Sequence, residues 1–316
     1  MKKLYAFIFF LLGFCISAFT SFAESRVPEI LPLKLRYPVG TILHYRLARH
    51  NANFKTDGTP SGAMDMYALF TRTRLKDGPQ GNIRERFVFN CFKFGQSMTP
   101  APVKMVEFKA ARGYTMDYSV SESDGITKLD FSSLPRTLDG FFFMIMTWDA
   151  VTFDGMTRPT KTLLVPDAAP IGSKIEDLSG PSIFPFEYPP LVTDSKYSFS
   201  GKNEVKVLGV GRVTNVPCAI IEFRMAENTV DMNLRLKPME VKTHGFEHFW
   251  GKTFLSLEDG RIVRGELVGP VLLTIETMMP GKDTPDRSTT LAMGYLEMDL
   301  LTIEEFVKEL ISQRAE

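Results

Sequence analysis

Residues 253–267 read Thr-Phe-Leu-Ser-Leu-Glu-Asp-Gly-Arg-Ile-Val-Arg-Gly-Glu-Leu, two apolar-rich runs, Thr253 to Leu257 and Ile262 to Leu267, set around Asp259-Gly260. Asp-Gly between such runs is a strong hairpin signal, because the glycine takes the positive φ that a tight turn needs. The same grammar continues outward. Strand patterns recur upstream at Thr41 to Leu47, Tyr67 to Leu75, Arg84 to Phe94, Val103 to Phe108, Tyr114 to Val120 and Phe141 to Thr147. Nearer the hairpin and beyond it lie Glu204 to Leu208, Ala219 to Met225, Val230 to Leu236, Val271 to Thr277 and Leu291 to Leu300. Asp57-Gly58, Asp77-Gly78 and Asp124-Gly125 supply further turns. The chain predicts as mainly β and antiparallel, with curved, half-barrel-like sheets.

Helical periodicity enters only at the C-terminus. Thr302-x-x-Glu305 makes a capping box, and Ile303, Phe306, Val307, Leu310 and Ile311 fall at helical spacing. A short amphipathic helix packed on a sheet is expected there.

The two halves resemble each other. Pro38-Val39-Gly40-Thr41-Ile42-Leu43 returns as Pro170-Ile171-Gly172-Ser173-Lys174-Ile175, and Gly113-Tyr114 returns as Gly245-Phe246, each 132 positions later. Ser121 to Ile126 then parallels Ser256 to Ile262 with a small shift. Ordered matches at one spacing suggest a duplicated unit. The expected organisation is a signal peptide at 1–23, a first β-rich unit at 24–157, a Pro-rich connection at 158–190, and a second β-rich unit with the C-terminal helix at 191–316.

The signal peptide rests on Lys2 and Lys3, the apolar run Leu4 to Ala18, and small residues at Ser21 and Ala23, with cleavage expected after Ala23. No later run is long and apolar enough to span a bilayer as a helix. The protein is expected to be secreted, into the periplasm, with no membrane span in the mature chain. Lys plus Arg equals Asp plus Glu at 37 each, so no charge excess invites nucleic acid. The mature chain keeps Cys91 and Cys218. In an oxidising compartment two readings stay open, one long-range disulfide or two separately buried thiols.

Val205-Lys206-Val207-Leu208-Gly209, leading through Val216-Pro217-Cys218 into a strand, and the hairpin Leu255 to Arg264 resemble secreted bacterial β-rich proteins akin to the lipoprotein-localisation (LolA/LolB-like) carriers. The likeness covers mainly residues 195–270. It implies a curved sheet of the kind that holds acyl chains, and it transfers no functional residues.

Candidate chemistry is sparse. His244-Gly245-Phe246-Glu247-His248 has the H-x-x-E-H spacing of inverted zinc peptidases, in which one helix face presents both imidazoles. Gly245 inside the motif and the strand-like flanks argue for strand or turn, where residues 244, 246 and 248 share a face. His44 and His50 lie too far apart along a strand to chelate together. Gly209-Val210-Gly211 lacks the third glycine of a dinucleotide loop, and Pro217 forbids the following helix. Met64-x-Met66 and Met144-x-Met146 offer soft copper ligands, with core packing as the ordinary alternative. No cofactor is expected. The function expected is non-catalytic binding of an apolar ligand, such as a lipid, or of an envelope partner; the alternatives are a metal-dependent hydrolase using His244, Glu247 and His248, or a structural envelope component.

Overall fold

The computed structural model describes residues 30–32, 37–78, 83–121, 125–126, 131–155, 168–170, 174–176, 182–185, 191–193, 196–199, 202–236 and 238–315. The first-half strands are β1 (Ile30–Pro32), β2 (Ile42–Phe54), β3 (Pro60–Arg74), β4 (Ile83–Ser97), β5 (Val106–Glu107), β6 (Thr115–Ser121) and β7 (Gly125–Ile126). Helix α1 (Leu138–Gly155) follows. Then come β8 (Ala168–Pro170), β9 (Lys174–Glu176), β10 (Ser182–Pro185), β11 (Lys196–Phe199), β12 (Lys202–Val213), β13 (Val216–Leu236), β14 (Met239–Ser256), β15 (Ile262–Met278) and β16 (Asp286–Leu301). Helix α2 (Ile303–Ala315) ends the chain.

The mainly β, antiparallel architecture with a short C-terminal helix is the one the sequence predicts. In place of two sheets, however, the described strands form one open sheet of 14 strands, with β1 and β8 pairing separately. Its central order is β13-β14-β15-β16-β2-β3-β4-β6. Two meanders thus join edge to edge where β16, almost the last element, pairs with β2, Leu296 opposite Arg49. The signal peptide and most of the Pro-rich connection lie outside the described residues, and so does Gly172, on which the comparison of the two halves turns.

The turns form for the reasons read from the sequence. Between β14 and β15, Gly260 has φ +73° and its N–H donates to the Ser256 carbonyl at 2.8 Å, while Arg261 N–H donates to Asp259 Oδ1 at 3.2 Å. Between β12 and β13, Thr214 and Asn215 both have positive φ, the signature of a two-residue primed turn, and Val213 pairs with Val216. The would-be dinucleotide loop is therefore a hairpin.

The run Phe141 to Thr147, expected as a strand, is helix. Residues 138–155 form α1, begun by Thr137, whose carbonyl accepts from Phe141 N–H at 3.1 Å. The misreading has a physical source: α1 is apolar on most sides, so it carries no amphipathic stripe, and a short apolar run does not distinguish buried helix from buried strand. The odd-numbered side chains Leu43, Tyr45 and Leu47 of β2 meet Phe70 of β3, Phe87 and Phe89 of β4, Phe223 of β13 and Leu296 of β16 in one core, which includes Phe141, Phe143, Met146 and Phe153 of α1. Burying each such side chain contributes about 1.5–3 kcal/mol. We call this sheet face, covered by α1, the inner face.

Helix α2 lies on the opposite, outer face. The capping box is formed, with Glu305 N–H donating to Thr302 Oγ1 at 3.2 Å and Thr302 N–H to Glu305 Oε2 at 2.8 Å. Phe306 is buried in a small cluster with Tyr67, Leu69 and Cys91. Arg46 bridges Glu309 of α2 at 3.0 Å and Asp299 of β16 at 2.5 Å, and the Tyr67 hydroxyl donates to Glu309.

Candidate functional site

Among the described residues the inner face under α1 is the largest apolar assembly, and the rings that make it come from alternation along the strands. On β4, Phe87 and Phe89 point inward, and the Phe143 ring of α1 meets Phe89 edge-on at 4.6 Å and Phe92 at 5.3 Å. Phe142 stacks on Phe94 at 4.1 Å. At the other end of the helix, Gly265 of β15 makes room for the Phe153 ring, since a Cβ there would stand 2.6 Å from two ring carbons. Trp148 packs half-buried against the same core.

One ion pair ties helix to sheet. Arg49 of β2 donates from Nη1 to both Asp149 carboxylate oxygens, at 3.0 and 2.8 Å, and from Nε to Asn51 Oδ1 at 3.2 Å. Burial pushes the Asp149 carboxyl above its ordinary range, with Arg49 pulling it back. A second polar group is sealed at one end of the inner face. Arg72 and Glu85 are both 1% exposed and paired, and Tyr118 donates to Glu85 at 2.7 Å while accepting from Arg72 at 2.7 Å. Tyr37 also donates to Glu85, and the guanidinium lies 5.4 Å from the Tyr45 ring centre and 5.2 Å from that of Phe87. This arrangement locks β3, β4 and β6 together, with Arg72 Nη2, the Glu85 carboxylate and the Tyr118 hydroxyl paired among themselves and closed to solvent.

Sequence reasoning missed both groups, although a signal existed. Arg72 shares strand parity with Ala68 and Phe70, Glu85 with Phe87, and Arg49 with Tyr45 and Leu47. A charge on a core-facing position needs a partner.

The H-x-x-E-H segment lies within β14, so the helix that zincin geometry requires is absent. His244 and His248, four residues apart on a strand, are separated by roughly 13 Å, with Phe246 between them. Each imidazole has its own partner: His244 Nδ1 lies 2.5 Å from Asp231 Oδ1, and His248 Nδ1 accepts from Glu227 N–H at 3.0 Å. The two do not converge. Among the described residues no group of three or more His, Cys, Asp or Glu side chains could hold a metal. Met144 and Met146 are buried in the core, two places apart on a helix and so on different sides of it.

Cys91 and Cys218 are free and buried, on β4 and β13, six steps apart in the strand order. The bridge left open by the sequence is not formed. Burial raises both thiols, that of Cys218 to about 11, which disfavours the thiolate a nucleophile needs.

On the outer face, a shallow open depression of about 360 Å³ is lined by Glu204, Lys206, Glu222, Phe223, Arg224 and Trp250. These charges alternate in sign across neighbouring strands and read as a solvated face. Among the described residues no helix is long and apolar enough to cross a membrane.

No protein-family model matches the chain, and no curated protein matches it. Among solved structures, it is similar to a candidate exported protein of Bacteroides fragilis described as having a YmcC-like fold. That match has 8% identity and a TM-score of 0.21, over 86% of this chain and 100% of the other. A variant of OccD1 (OprD) matches at 7% identity and TM-score 0.18, over 89% of this chain and all of the other. OmpT, an outer membrane protein of Vibrio cholerae, matches at 9% identity and TM-score 0.17, over 84% of this chain and all of the other. Likenesses at this level carry no functional argument.

Proposed function

We propose that this chain is a non-catalytic envelope protein that binds an apolar ligand of acyl-chain type along the inner face of its sheet, with α1 as the element that yields to it. The observation that carries the reading is α1 itself: an 18-residue helix, apolar on most sides, filling the inner face of a sheet that is not closed. A closed barrel would fix its contents, whereas an open sheet can part from a helix. The ring-rich and Met-rich lining, with Met66, Met144, Met146, Met225 and Met298 buried there, suits a surface that repacks around a flexible chain.

The reading includes secretion with removal of residues 1–23, a periplasmic location, and descent of the two meanders from one duplicated unit. Each stands on its sequence pattern. Native mass spectrometry of the protein extracted from its own envelope tests the function. A stoichiometric lipid or fatty acid in the spectrum is expected; protein that arrives bare and takes up no fatty acid from loaded vesicles overturns the reading.

A further inference from the structure

The outer face carries a second apolar feature, independent of the ligand reading because it lies across the sheet from α1. Pairing is regular through four strands, so outward side chains form rows across them. Phe246, Leu272 and Leu291 stand side by side on β14, β15 and β16, followed by Phe54 on β2. Two residues along is the row Pro270, Met293 and Ala52 on β15, β16 and β2. Two further is Trp250, Val268 and Tyr295. The large side chains of this band, Phe246, Trp250, Leu272, Leu291, Met293 and Tyr295, are 37–49% exposed. Strand rise and spacing make the band about 14 Å in each direction. Mixed charges bound it: Asp231 and His244 on one side, Lys252, Glu266 and Glu297 on the other.

Helix α2 lies on the same face and shows the complementary shape. Its inward side is used up by Phe306 and Leu310, yet Ile303, Val307 and Ile311 point away, 47–65% exposed at one-turn intervals. That stripe is about 12 Å long on a helix about 10 Å wide, which fits the band in both dimensions.

We propose that the band docks the α2 stripe of a second copy of this chain, in a reciprocal two-fold dimer. A two-fold axis lying between the facing sheets, perpendicular to the line joining the two patches, sets each patch on the other patch of the partner, so each copy buries both. Nine large side chains, roughly half exposed and each offering ~200 Å², bring about 800 Å² per copy, the size that stable complexes need. A bilayer fits less well. The band is about half the hydrocarbon thickness, and its mixed-sign borders offer no attraction to an anionic surface.

Sedimentation of the purified protein between 1 and 100 µM tests the interface. A dimer is expected, with Leu272→Glu and Val307→Glu each weakening association by at least 100-fold while thermal unfolding stays unchanged. In the Trp148→Phe background, Trp250 emission should shift to the blue as the dimer forms. Should a glutamate variant fail to fold, the milder pair Val307→Cys with Leu272→Cys should yield an oxidised covalent dimer that neither single variant gives at that position. A monomer at 100 µM, a dimer untouched by substitutions in both patches, or a monomer that floats with phospholipid vesicles through Trp250 would overturn the proposal.

Discussion

Arg49 and Asp149 face each other across the join between sheet and helix, the guanidinium Nη1 2.8 Å from one carboxylate oxygen and 3.0 Å from the other. The pair sits half-buried on the inner face, where α1 carries little else that is charged. It acts as a latch on the helix that covers the proposed ligand surface.

The latch has a pH signature. The Asp149 carboxyl is raised above its ordinary value of 3.8, mainly by burial. The folded chain therefore holds that proton more tightly than the unfolded one, so the contribution of Asp149 to stability falls as pH rises from 3.8 through the raised folded value and levels off beyond it. The difference in urea midpoint between wild type and Asp149→Asn, followed from pH 3 to 7, should show this fall, set apart from the opposite trend of the lowered carboxyls Asp117 and Glu305. A double-mutant cycle with Arg49→Leu should give a coupling of about 1–2 kcal/mol. Arg49→Leu should also bind a fatty acid several-fold more tightly, since less of the binding energy goes into opening the helix.

The sealed pair Arg72–Glu85 should behave as a unit. Arg72→Met alone strands a carboxylate at a site with 1% exposure and should cost about 3–5 kcal/mol. Arg72→Met with Glu85→Leu should recover most of that loss, because two apolar side chains of similar volume avoid the desolvation that the ion pair carries. Urea denaturation of the three variants checks the order.

Gly245 decides between the two readings of the H-x-x-E-H segment by sign. On a helix, Gly→Ala would gain about 1 kcal/mol. In β14, an added Cβ would stand 2.3 Å from the Leu272 carbonyl oxygen and 2.6 Å from a Leu273 methyl, so backbone must shift. Gly245→Ala should therefore destabilise by about 1–3 kcal/mol in the same assay.

These sites mark how far the sequence could be read. Hairpins such as Ser256 to Arg261 and the Thr302–Glu305 box were legible because their chemistry is local: a turn needs one glycine and a cap needs one hydroxyl three residues from one carboxylate. Helix α1 was not, because burial on most sides erases the periodicity by which helices announce themselves. The β16–β2 junction was not, because nothing local ties Tyr295 to His50 across 244 residues of intervening chain; only the shared sheet does. The candidate site fell on both illegible elements. His244 and His248, the most conspicuous residues of the sequence, are separate surface pairs, while the partner that Arg49 needs on its core-facing position, Asp149, was visible only once the helix was placed on the sheet.

The chain's two tryptophans make binding at the inner face directly measurable, since Trp148 lies on α1 against that face and Trp250 lies on the outer face. Brominated fatty acid, titrated into single-tryptophan variants, quenches whichever indole it approaches. Saturable quenching of Trp148 is expected in Trp250→Phe, with little change of Trp250 in Trp148→Phe. Quenching of Trp250 alone, or of neither, would contradict binding at the inner face.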